Sequence, residues 1–174
     1  MRFDIKFEVD HLDRALAAVR RGLEQPEPLL GSIGESLLNV NRERHDAGLA
    51  PDGSKWKPLS PMTLANDVGT RKGILAKNGR MLQSFKHKVS GNDLTLGFDG
   101  ATESQRAAWH NSGTDPYVIT PKKAKALKFG GMYRKRVNHP GLPKRQLVGL
   151  PDSDRRLIVD VADNYLRVIL NRIR

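Results

Sequence analysis

Lys86-His87-Lys88-Val89-Ser90-Gly91-Asn92-Asp93-Leu94-Thr95-Leu96-Gly97-Phe98 decides the fold class. Two short runs, Lys86–Ser90 and Leu94–Phe98, flank Gly91-Asn92-Asp93, whose residue types favour a tight hairpin turn. Strands that fold straight back on each other pair antiparallel, with no crossover helix between them. On either side the chain turns helical. Upstream, Ile74–His87 reads as a loop and then a helix carrying Met81, Leu82 and Phe85. Downstream, Thr102 with Gln105 three residues on forms a capping-box pattern for a helix through about Asn111. Helices and strands mix without regular βαβ alternation, so the class is α+β.

Further out, residues 2–9 alternate strictly, with Phe3, Ile5, Phe7 and Val9 on one face and charged residues on the other, as in a half-buried strand. Asp10 is placed to cap a helix in which Leu12, Leu16, Val19 and Leu23 recur at helical spacing; Gly22, Pro26 and Pro28 then break it. A second helix spans about Glu27 to Ala47, with Leu30, Ile33, Leu37 and Val40 as its apolar stripe and Gly48 as its stop. Residues 50–60 read as an irregular loop that Trp56 anchors to the core, and Ser60-Pro61 starts a short helix. After residue 116, Tyr117–Thr120 and Ala126–Phe129 are strand candidates, then Gly130-Gly131 and a basic strand around Tyr133–Val137. The strongest helix closes the chain, Asp152 to about Arg172. Its face is Leu157, Ile158, Val161, Tyr165, Val168 and Ile169, and Asp152 or Ser153 caps it. With 174 residues, one domain is expected over 1–174. It is a small, mostly antiparallel sheet packed by several helices, with an extended basic hairpin or arm over 117–150.

The formal net charge is +11, and it is unevenly placed. From Tyr117 to Pro151 there is no Asp or Glu, while Lys122, Lys123, Lys125, Lys128, Arg134, Lys135, Arg136, Lys144 and Arg145 stand in the same stretch. Val68 to Asn92 is a second acid-free window, with six bases. Blocks of one sign make a local field that attracts polyanions. The same pattern also suits a solvated, lysine-rich loop. Phe129 and Tyr133 interleave with these bases and could stack on nucleic-acid bases. No helix-turn-helix, zinc-finger or RNA-recognition signature accompanies them. A non-specific DNA-binding protein acting through 117–150 is therefore the alternative function, by weak and salt-dependent phosphate contact.

Catalysis finds little support. There is no cysteine, which removes disulfides, thiolate metal sites and thiol nucleophiles together. The five histidines do not make the zinc-protease spacing, and no phosphate-binding glycine loop or nucleophile elbow is present. His110 with Asp115 is the best acid–base candidate, and its flanks read equally as a helix end where histidine caps carbonyls. No enzyme, cofactor or metal is expected. The N-terminus lacks the apolar run of a signal peptide, and no stretch reaches the roughly 20 apolar residues of a membrane span. A soluble protein made in the cytoplasm is expected.

Four segments, in order, carry a resemblance. They are Pro51-Asp52-Gly53-Ser54-Lys55-Trp56-Lys57-Pro58-Leu59-Ser60 with Thr63; Ile74-Leu75 with Gly79-Arg80-Met81-Leu82-Gln83-Ser84-Phe85; Ala108-Trp109-His110-Asn111-Ser112-Gly113; and Pro143-Lys144-Arg145-Gln146-Leu147-Val148-Gly149-Leu150 with Asp154. Together they resemble the phage virion morphogenesis (tail completion) family known from Mu-like phages. Leu147 stands where that family's pattern has phenylalanine, and Pro151 where it has serine. The resemblance implies structural roles for Gly53, Trp56, Pro58, Leu59, Ser60, Gly79, Leu82, Ser84, His110, Gly113, Pro143, Arg145, Gly149 and Asp154. It implies a virion protein of the tail or neck, of tail-terminator or head–tail connector type. Its expected partners are further copies in a hexameric ring, the tail tube protein, the head connector or stopper protein, and packaged DNA without sequence preference. The basic arm would then face either DNA or a protein partner.

Overall fold

The computed structural model describes residues 10–65, 73–75, 79–122, 124–129 and 131–172. The strand expected over 2–9 lies outside the described residues. Among the described residues six helices and six strands alternate irregularly: α1 (Asp10–Glu24), α2 (Glu27–Ala47), α3 (Pro61–Ala65), α4 (Arg80–Gln83), β1 (Phe85–Ser90), β2 (Asp93–Phe98), α5 (Ala101–Ser112), β3 (Tyr117–Ile119), β4 (Leu127–Phe129), β5 (Met132–Arg134), β6 (Val137–His139) and α6 (Asp152–Asn171). The fold is α+β with a long C-terminal helix. Among the described residues its strands form three separate two-stranded ladders, β1–β2, β3–β6 and β4–β5, rather than one sheet. The chain divides into two compact units.

The first unit comprises Met1–Leu37, His87–Thr95 and Asp152–Arg174. In it α1 packs along α6. Gly22 does not break α1 but lies inside it, where an added Cβ would come within 2.7 Å of Ile169 Cδ1. A glycine at a helix crossing lets two backbones approach. Its helix-propensity cost of about 1 kcal/mol is offset by that packing. The break comes at Gln25-Pro26. The Pro26 carbonyl accepts the Leu30 N–H at 2.8 Å, so α2 starts there and carries Pro28 in its first turn, where a missing N–H costs nothing. Gly34 meets the β1–β2 hairpin in the same manner: a Cβ would lie 2.6 Å from His87 Cδ2 and 2.9 Å from Leu94 Cδ1. Ile33 and Leu37 are buried in α2, whereas Leu12, Leu16 and Leu23 share a face of α1 and stay more than half exposed.

The second unit comprises Leu38–Lys86 and Leu96–Pro151. Its core is Ala50, Trp56, Met81, Ala107 and Leu147, with Ile74, Leu75, Leu82 and Phe98 packed against it. Phe85, fully buried, opens β1 instead of continuing the preceding helix, which is a single turn. Phe85 and Phe98 lie 5.0 Å apart between ring centroids, and His45 packs against both. The hairpin turn takes two residues, Gly91 and Asn92, with Gly91 at φ 57° and Asp93 already in β2. The capping box at Thr102 does not form. Helix α5 begins two residues earlier, with Gly100 at the cap position, and Ser104 donates back to the Phe98 carbonyl. The single basic strand expected around Tyr133–Val137 is split at residues 135–136 into β5 and β6, which pair with different partners.

Candidate functional site

The segment after the first long helix shows how local chemistry sets the site. Gly48, at φ 68°, ends α2 in a Schellman motif: Leu49 N–H reaches the Arg44 carbonyl at 2.8 Å and Gly48 N–H the His45 carbonyl at 3.1 Å. The chain then reverses over Pro51-Asp52-Gly53. Gly53 N–H donates to the Ala50 carbonyl, Ala50 N–H to the Ser54 carbonyl, and Leu49 bridges Lys55. This is a three-residue hairpin with proline second in the turn and glycine at positive φ, not an irregular loop. The Pro-Asp-Gly run is the signal that identifies it. The Asp52 carboxylate accepts the Ser54 N–H at 2.9 Å and the Ser54 hydroxyl at 2.6 Å, which holds its pKa below the usual carboxylate range.

Trp56 leaves this hairpin buried, and its indole N–H donates to the Gln146 carbonyl at 2.9 Å. Its donor is thereby satisfied away from water, as a buried indole requires. Pro58 and Leu59 lead to Ser60, whose hydroxyl accepts the Thr63 N–H at 3.2 Å and caps α3. Gly79, at φ 68°, precedes α4, Leu82 packs on the core, and the Ser84 hydroxyl donates to the Met81 carbonyl at 2.7 Å.

A strap without regular secondary structure, residues 141–150, ties these pieces together. Arg145 is buried. Its Nε donates to the Lys57 carbonyl at 2.8 Å and one terminal nitrogen to the Pro58 carbonyl at 3.1 Å. Its backbone N–H donates to the His110 carbonyl at 2.7 Å, satisfying one of the orphan carbonyls at the end of α5. The Asn111 side-chain oxygen accepts Leu147 N–H at 2.9 Å, and the Leu147 carbonyl accepts His45 Nε2–H at 2.9 Å. Gly113 and Gly141 allow two backbones to meet: a Cβ on Gly113 would lie 2.9 Å from the Leu142 carbonyl oxygen, and one on Gly141 would overlap the Thr114 carbonyl oxygen. Gly149 faces the Pro51 ring, where an added Cβ would lie 3.0 Å from its Cβ and Cγ. Pro143 is half-buried beside them.

The four motif segments, more than 90 residues apart in sequence at their extremes, thus converge in the second unit. Asp154 alone among the motif residues belongs to the first unit, buried in the first turn of α6. Burial pushes the His45 pKa down, and it does the same for His110 with the Arg145 charge adding to it. Both shifts favour the neutral ring. The Nδ1 atoms of His45 and His110 are buried without a hydrogen bond.

Of the basic residues, Arg145 is structural in this arrangement. Lys122, Lys125, Lys128, Arg134, Lys135, Arg136 and Lys144 are exposed, and Lys123 lies outside the described residues. The arm has two tiers. At its base β3 pairs β6 antiparallel, Tyr117 opposite His139, with their rings stacked 4.7 Å apart. Further out β4 pairs β5, with Lys128 opposite Tyr133 and Leu127 opposite Arg134. Among the described residues no group of three His, Asp or Glu is gathered to hold a metal, and no helix is long and apolar enough to cross a membrane.

The motif residues hold loop to loop through backbone carbonyls. Residues 7–167 match the model of the phage virion morphogenesis family, and the chain belongs to that family. It is accordingly a phage structural or assembly protein associated with the virion. No curated protein and no solved structure matches the chain.

Proposed function

We propose that the protein completes the phage tail, or joins it to the head, as one subunit of a ring at the neck. The observation supporting this reading is the fate of the motif residues. Trp56, Pro58, His110 and Arg145 are joined through backbone carbonyls into one laced scaffold instead of converging on a reacting group. What the family pattern preserves in this chain is then a rigid body from which exposed segments can meet neighbours, as a ring subunit needs. Its neighbours are further copies, six in a closed ring, with the tail tube protein on one side and the head connector or stopper on the other. A closed cyclic assembly satisfies every interface with one repeated contact.

The mass of the purified protein in solution, alone and then mixed with isolated tail tubes, tests the proposal. A ring-sized species, or a monomer that becomes a ring on tube ends, is the expected result. A monomer that binds neither tubes nor connectors would remove the reading.

A further inference from the structure

The basic arm carries charge that the described residues leave unanswered. Lys122, Lys125, Lys128, Arg134, Lys135, Arg136 and Lys144 are all exposed, and among the described residues none of them forms an ion pair. Their side-chain contacts are weak and local: Arg134 to the Met132 sulfur at 3.5 Å, and Arg136 to the Asn138 side-chain oxygen at 3.4 Å. No acidic residue interrupts the stretch from Tyr117 to Pro151.

The register of β4–β5 says which anionic partner fits. Residues directly opposite in an antiparallel pair share a face, and successive residues alternate faces. Lys128 and Tyr133 therefore share one face of the ribbon, while Arg134, opposite Leu127, stands on the other. A flat acidic protein surface neutralises one face and leaves the second cation unmatched. A groove with phosphates along both walls answers both. The major groove of B-DNA, about 12 Å wide, admits a two-stranded ribbon whose strands lie about 4.8 Å apart. Tyr133, 70% exposed and beside Lys128, brings a hydroxyl that can donate to a phosphate oxygen.

We propose that the β4–β5 ribbon and its flanking lysines dock in a groove of duplex DNA through phosphate contacts, without reading its sequence. This contact does not depend on the ring: a protein that stays monomeric would still make it, so the failure of one reading is separable from the failure of the other.

The test is an anisotropy titration of the full chain with two labelled duplexes of unrelated sequence, from about 50 to about 200 mM salt. Equal affinity for both duplexes is expected, with a log–log salt slope of about −4.5 to −6.3 for five to seven phosphate contacts. The variant Lys122→Gln/Lys125→Gln/Lys128→Gln, at exposed positions, should keep its circular dichroism and lose about 2.7 from that slope, at roughly 0.9 per contact. The charge-matched variant Arg14→Gln/Arg20→Gln/Arg21→Gln on α1 should keep the wild-type slope. Absence of binding at low salt, preference for one sequence, or equal loss in both triple variants would overturn the proposal. So would polyglutamate that competes as well as unlabelled duplex at equal charge, which would assign the arm to an acidic protein.

Discussion

Arg145 shows what a single residue can hide in sequence. It stands among nine bases in an acid-free window, and composition alone groups it with the exposed ones. Its partners, the carbonyls of Lys57 and Pro58, lie 88 and 87 positions away, so only the folded chain reveals that its guanidinium is turned inward. Lysine cannot reproduce the planar fork. Arg145→Lys should therefore lower stability by about 1.5–3 kcal/mol, the value of a hydrogen bond to a charged group. Urea unfolding followed by tryptophan fluorescence would measure this, since Trp56 sits beside the strap. The histidines give a pH dependence of definite sign. Burial depresses the folded pKa of His45 and of His110 below the ordinary 6.5. Below about pH 6.5 the unfolded chain binds protons that the folded chain refuses, so stability is complete above that pH and falls as the solution is acidified toward the depressed values. The urea midpoint should hold level from pH 8 to 7 and drop as the pH falls below about 6.5, and His45→Gln or His110→Gln should each flatten part of the fall.

Elements were legible where the signal is local. The bounds of α2, the two-strand hairpin, the Ser60-Pro61 helix start and the C-terminal helix all follow from caps and periodicity that act within a few residues. Two misreadings come from contact with distant chain. Gly22 reads as a breaker until Ile169 and Tyr165 are placed against it, and Phe85 reads as helical until the aromatic cluster with His45 and Phe98 draws it into β1. Two predictions belong here. Gly34→Ala gains about 1 kcal/mol of helix propensity but pushes a methyl into the His87 ring and Leu94. Overpacking of that kind costs roughly 1–3 kcal/mol, so the net effect is a lower thermal midpoint by calorimetry, not a higher one. Phe85→Ala empties a fully buried site and should cost about 3–5 kcal/mol, read as a lower denaturant midpoint with the slope unchanged.

For the whole molecule, the prediction is an assembly. Six copies of a 19.4 kDa chain make a particle of about 116 kDa, which native mass spectrometry separates cleanly from monomer and dimer. That particle should appear alone or on tube ends, and the Arg145→Lys variant, with its scaffold loosened, should form less of it. The sequence by itself determined the α+β class, most helix bounds, the position of the basic arm and membership of the virion morphogenesis family. Each depends on neighbours in the chain or on short ordered motifs. The tertiary structure alone decided that the motif residues are staples, that Arg145 leaves the exposed set, that the strands among the described residues form three separate ladders, and that the arm's ribbon bears cations on both faces. Those outcomes depend on which carbonyls, rings and strands meet across tens of residues. Burial and pairing are properties of the folded neighbourhood, and residue order fixes them only through the fold.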